Sequence, residues 1–141
     1  MHVGLIYRIR AAVPSDESRI RRCLRRAFPG ASSVPEIAAE RGFLAVADDE
    51  VIGVLAFRAA TSGFQVDVVA VDPARQGHGV GSALIKFAEH EALLAGYSAV
   101  AANVPESSSD GLAVWERRGY RPVERLARID GTLISLRKLL T

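Results

Sequence analysis

The chain has 141 residues, 49% of them hydrophobic, and a formal net charge of +2. That length suits a single domain spanning residues 1–141, able to bury about two thirds of its unfolded surface without metals or disulfides. The charge is too small to argue for nucleic acid, no apolar run approaches the roughly 20 residues of a bilayer span, and a lone cysteine, Cys23, excludes an internal disulfide.

The opening Met1-His2-Val3-Gly4 lacks the regions of a signal peptide, so a cytoplasmic location with no membrane partner is expected. Tyr7 to Val13 alternates well enough for a first strand, and Pro14-Ser15-Asp16-Glu17 supplies the residues of a helix start. Ile20, Cys23, Leu24, Ala27 and Phe28 then recur at three and four, giving one apolar stripe that Pro29-Gly30 terminates. Cys23 lies on that stripe and reads as packed core, because nothing nearby would lower its pKa. Arg8, Arg10, Arg19, Arg21, Arg22, Arg25 and Arg26 concentrate positive charge in this region, and a solvated helix face accounts for them better than a nucleic-acid partner. A second short helix is expected from Ser33, where Ser33 and Glu36 have capping-box spacing.

Phe43 to Ala47 and Val51 to Ala60 read as strands joined by the turn Asp48-Asp49-Glu50, and Phe64 to Val71 extends the antiparallel meander after Thr61-Ser62-Gly63. From Gly79 to Ala95 a helix is expected to present Val80, Leu84, Phe87 and Leu94 to the sheet, with Gly96 ending it. Ser98 to Val104 is the next strand. A helix crosses over between Phe64–Val71 and Ser98–Val104, so these two should be parallel neighbours with a ligand at their carboxyl ends. A helix around Leu112–Arg118 and a hairpin turning at Asp130-Gly131 complete the chain. That hairpin, Tyr120 to Leu139, offers an edge for pairing with a second chain, so a homodimer is a candidate assembly. His2, His78 and His90 show no ligand spacing, and no metal is expected.

The most informative stretch is Val66-Asp67-Val68-Val69-Ala70-Val71-Asp72-Pro73-Ala74-Arg75-Gln76-Gly77-His78-Gly79-Val80-Gly81-Ser82, an apolar strand running through a glycine turn into a helix. Glycines at alternate positions strip Cβ atoms from one side of the turn, so backbone amides can converge on an anion. The helix adds its unpaired N-terminal amides and dipole. Each charge-assisted hydrogen bond is worth about 1.5–3 kcal/mol against roughly 0.3–1 for the dipole, so the amides dominate. A P-loop is excluded because Ser82 and Ala83 stand where lysine and a hydroxyl residue are needed. The dinucleotide fingerprint fits poorly, because the glycines are evenly spaced, Ser82 or Leu84 falls at the third glycine, and Asn103 rather than an acid ends the next strand.

This order of elements, with Gln76-x-x-Gly79-x-Gly81 at the turn, resembles the GNAT superfamily of acyl-CoA-dependent N-acyltransferases. A second stretch, Asn103-Val104-Pro105-Glu106-Ser107-Ser108 through Trp115-Glu116-Arg117-Arg118-Gly119-Tyr120, is similar to the later segment of that family. The resemblance implies an α/β (α+β) fold: a mixed central sheet with an antiparallel N-terminal meander and a parallel central strand pair, flanked by about four helices. It also implies acetyl-CoA as co-substrate, with the signature from Gln76 and the amides of Gly77, His78, Gly79, Val80, Gly81 and Ser82 at the diphosphate. The main chains of Val69 and Val71 would hold the pantetheine where the central strands splay apart at a bulge. Ser108 stands where the family often has asparagine near the cofactor.

The implied reaction is direct attack of a neutral primary amine, on a small molecule or a protein, upon the thioester. A lysine-like amine of pKa about 10.4 is neutral about once in 2,500 molecules at pH 7, a handicap of roughly 4.6 kcal/mol, so a base is useful. Asp67 is the candidate: it is ionisable, shares the parity of Val69 and Val71, and is flanked by valines that would desolvate it. Its alternative reading is a surface residue on an alternating strand. Trp115 replaces the tyrosine that the family uses to protonate the departing thiolate; indole cannot do so, though it can donate to the sulfur or wall the pocket. Tyr120, the nearest tyrosine, occupies a phenylalanine position and reads as core. An N-acetyltransferase and an acyl-CoA-binding module without turnover therefore both stand.

Overall fold

The computed structural model describes residues 4–31 and 34–140. Seven strands alternate with three α-helices: β1 (Arg8–Ala11), α1 (Glu17–Ala27), β2 (Gly42–Ala47), β3 (Glu50–Ala60), β4 (Gly63–Val71), α2 (Val80–Leu94), β5 (Ala99–Pro105), α3 (Ser109–Arg117), β6 (Arg121–Arg128) and β7 (Gly131–Leu139). They form one mixed sheet in the order β1-β2-β3-β4-β5-β7-β6. β1–β2, β2–β3, β5–β7 and β6–β7 pair antiparallel, whereas β4 and β5 pair parallel. The parallel pair follows from the crossover helix α2, as expected. Two compact units divide the chain, one holding the residues up to Phe57 with Val68–Ala88, the other Arg58–Asp67 with the residues from Glu89 onward.

In the first unit, β1, β2 and β3 pair in sequence, and Asp48 and Asp49 make the β2–β3 turn with φ of 50° and 63°. Two successive left-handed residues match the twist of a tight hairpin, and aspartate tolerates that conformation. Ile20, Cys23 and Leu24 of α1 pack with Leu44, Val46, Val54 and Ala70 of the strands. At Gly53 a Cβ would lie 2.8 Å from Val80 and 3.0 Å from Leu84, so glycine there lets α2 settle close upon β3. All six residues of β2 are buried. Burial of Cys23 pushes its thiol up to about 11, as suits a core residue.

Three expectations are corrected here. Phe28 closes the α1 stripe in sequence but is 40% exposed, because it sits past the helix at a non-helical φ of −122°. Ser33 lies outside the described residues, and Val34–Ala38 carries no helix; a single 3-10 turn, Ala39–Arg41, leads into β2. Leu94 is 70% exposed, whereas Val80 and Leu84 are buried and Phe87 packs edge-on against Phe43 of β2 as expected, with Ile85, Ala88 and Ala92 completing the buried face of α2. Leu94 lies two residues beyond Ala92, about 200° around the helix, which turns it away.

In the second unit, β4 pairs with β5 over Phe64–Val66 and Val100–Ala102, β5 pairs with β7, and β7 pairs with β6. At the end of α2, Gly96 adopts a φ of 93°, its amide donates to Leu93 and the Tyr97 amide donates to Ala92. Those paired bonds satisfy the last carbonyls and stop the helix where the sequence suggests. Among the described residues no helix is long and apolar enough to cross a membrane, and no group of three or more His, Cys, Asp or Glu could hold a metal ion.

Candidate active site

The turn after β4 is anchored by a buried acid. The Asp72 amide donates to the Ile52 carbonyl at 2.8 Å, and its carboxylate accepts from the Ala74 amide at 3.0 Å and from Arg26 at 3.1 Å. Beyond it, Gly77 and Gly79 stand at φ of 86° and 76°, a conformation that costs other residues roughly 1–2 kcal/mol. The first bond into α2 runs from the Ala83 amide to the Gly79 carbonyl at 3.0 Å, which makes Gly79 the N-cap. The amides of Val80, Gly81 and Ser82 are thus the orphan donors of the helix, with no hydrogen bond among the described residues.

Gly81 differs from its two neighbours in the motif. Its backbone is ordinary, and a Cβ there would come no closer than 3.6 Å to Val71 and 3.9 Å to Val69, normal contact distances. Neither backbone nor packing requires glycine, which leaves an uncrowded approach to the orphan amides. Val69 and Val71 are half-buried and share that side, Gln76 and His78 are exposed, and Val80 turns into the core. This cradle fits an anion rich in acceptor oxygens, such as a diphosphate.

Asp67 is not the desolvated carboxylate expected from its flanking valines. It is exposed, and its two oxygens accept from Arg58 Nε at 2.8 Å and Nη2 at 2.9 Å, a two-point pair between neighbouring strands. Arg58 gave no signal in the sequence, since its nine-residue separation from Asp67 spans the β3–β4 turn.

In the later motif, Ser108 caps α3, its hydroxyl accepting from the Gly111 amide at 3.3 Å. Trp115 is 6% exposed and stacks edge-on against Tyr120, with ring centroids 4.7 Å apart. Tyr120 is core, as its position in the sequence indicates. Its phenol donates to Glu89 Oε2 at 2.8 Å, while Arg118 reaches Oε1 at 3.1 Å and Lys138 reaches both oxygens at 3.2 Å. Burial first, then the Glu89 carboxylate, raises the Tyr120 phenol above its usual pKa. Sequence reasoning missed this network, although Glu89 falls four residues after Ile85 and three before Ala92, in phase with the buried stripe.

A concavity of about 970 Å³ lies between α1 and the segment Val34–Ala38, with Ile20, Leu24 and Phe28 among its apolar lining and Glu17, Arg21, Arg25 and Glu36 among its charged lining. Exposed Phe28 is part of this wall.

The family model described as Acetyltransferase (GNAT) matches residues 12–120. No curated protein matches the chain by sequence. Among solved structures, the ribosomal-protein-S18-alanine N-acetyltransferase of Escherichia coli superposes with a TM-score of 0.82 at 19% identity, covering 96% of this chain and 95% of that one. YncA of Salmonella typhimurium, solved with its cofactor acetyl-CoA, gives 0.76 at 17% identity over 96% of this chain and 95% of its own. PaiA N-acetyltransferase of Thermoplasma acidophilum, in complex with coenzyme A, gives 0.77 at 13% identity over 93% and 98%. At such identities the likeness establishes the fold.

Proposed function

The chain belongs to the GNAT acetyltransferase family, and from that premise we propose that it moves an acetyl group from acetyl-CoA to a primary amine by direct attack on the thioester. The observation that carries this reading is the cradle: two left-handed glycines, three orphan amides, and a third glycine that neither strain nor packing explains. The amides of Gly77 to Ser82 hold the diphosphate, with Gln76 and His78 at its exposed rim, and the main chains of Val69 and Val71 hold the pantetheine. Ser108 and Trp115 line the later part of the cofactor site.

When bound, acetyl-CoA supplies an activated carbonyl. Asp67 serves as proton acceptor in this proposal; with Arg58 on both oxygens, each oxygen still keeps a lone pair to receive an amine hydrogen. Neither Trp115 nor Tyr120 is assigned as an acid, the first because indole is not acidic and the second because its proton is held by Glu89. Coenzyme A leaves as thiolate, which a thiol pKa near about 8.5 permits. The acceptor is a primary amine on a small molecule or a protein. The protein acts in the cytoplasm.

Burial of both Trp115 and Tyr120 favours a second reading, a module that binds acyl-CoA without turnover. Calorimetric titration with acetyl-CoA, beside a Gly79→Glu variant, tests what the two readings share. Micromolar binding lost in the variant supports the cradle, and absence of binding by folded wild type overturns both. Release of free thiol in the presence of an amine panel then separates enzyme from module.

A further inference from the structure

The free edge of β6 carries a pattern that fits a second copy of the chain. β6 ends the sheet, and its residues are exposed apart from half-buried Leu126. Its two-residue turn makes Arg128 and Gly131 a hydrogen-bonded pair, so alternate residues Leu126 and Glu124 direct their amides and carbonyls to β7. The Thr132 carbonyl confirms that phase, since it accepts from the Glu106 amide on the β5 side and not from its β6 neighbour Ala127. Arg125 and Ala127 therefore turn their amides and carbonyls to the open edge. Pro122 and the bulge beside it close the start of that edge to a longer ladder.

We infer that two copies pair β6 to β6 antiparallel, about a two-fold axis at Leu126. Outward groups must meet outward groups, so the axis has to pass through a residue. Centred on Leu126, Arg125 of each copy exchanges main-chain bonds with Ala127 of the other, and Glu124 stands opposite Arg128 of the other copy twice over. Neither Glu124 nor Arg128 takes part in an ion pair within the chain among the described residues, while Arg125 is already held by Glu106 at 2.7 and 2.9 Å. The same register sets Val123, 60% exposed, opposite the fully exposed Ile129. Neighbouring registers set like charges together: arginine against arginine when centred on Arg125 or Arg128, and acid against acid when centred on Glu124 or Ala127. Like charges directly opposite are destabilising, so one register is selected.

The inference is independent of acetyl transfer, and light scattering on the full-length protein tests it. Wild type is expected at twice the chain mass of 15.1 kDa in the micromolar range. Glu124→Arg alone and Arg128→Glu alone should each give monomer, and the double exchange should restore the dimer. Ala127→Pro should also give monomer with an unchanged circular dichroism spectrum, because the amide it removes has no partner in β7. A monomeric wild type, single variants that stay dimeric, or a folded double exchange that stays monomeric would each overturn the register.

Discussion

The phenol of Tyr120 donates to Glu89 across 31 residues of sequence at 2.8 Å, and this bond settles what the only tyrosine of the later motif does. Glu89 is 8% exposed and is faced by Arg118 and Lys138 as well, so its buried charge is compensated within one cluster. Arg118 keeps a buried Nε without a partner, the one such side-chain atom among the described residues.

Tyr120→Phe should cost about 1.5–3 kcal/mol in denaturant unfolding, the range for a buried hydrogen bond to a charged group, and should leave the pH–rate profile unchanged. The raised phenol pKa also has a sign. The folded state holds the proton more tightly than the unfolded chain, so this stability is complete below pH about 10 and is lost as pH rises beyond it. Unfolding curves above pH 10 should be less pH-dependent in the variant than in wild type.

Asp16 behaves oppositely. The Arg10 hydrogen bonds hold its carboxyl down to about 2, supported by the Val13 amide. Its contribution is present above the ordinary value of 3.8 and is lost as pH falls toward 2. Asp16→Ala should lower stability at pH 7 by about 2–4 kcal/mol, given a 1% exposed acid with a partly exposed partner, and should flatten the acid limb of a thermal melt series between pH 4 and 2.

Gly81→Ala separates fold from ligand binding. A methyl there meets only ordinary contacts, so the melting temperature should hold or rise slightly. Acetyl-CoA affinity by calorimetry should fall about tenfold or more, roughly 1.4 kcal/mol. Unchanged affinity would remove Gly81 from the cradle.

Asp67→Asn should lower kcat with the true acceptor, while acetyl-CoA binding stays intact. Arg58→Ala should keep acetyl-CoA binding and alter kcat, since the guanidinium is the carboxylate's only ion-pair partner among the described residues. A kcat unchanged in Asp67→Asn would exclude Asp67 as the base.

The strand meander, the crossover that makes β4 and β5 parallel, and the glycine-rich turn could all be read from the residue order alone. Each is local: alternation, a 3.6-residue period, or glycines at fixed spacing act within a few residues, so they can be read in order along the chain. Misreadings came at helix ends: Phe28 lies just past α1, and Leu94, the last residue of α2, points away from its buried face. That Asp67 is held by Arg58, that Glu89 gathers Tyr120, Arg118 and Lys138, and that β6 is the open edge emerge only in the folded chain. Those outcomes depend on which distant segments meet, and an ionic or hydrogen-bonded pair is written in the sequence only as two unrelated residue types until packing brings them within about 3 Å.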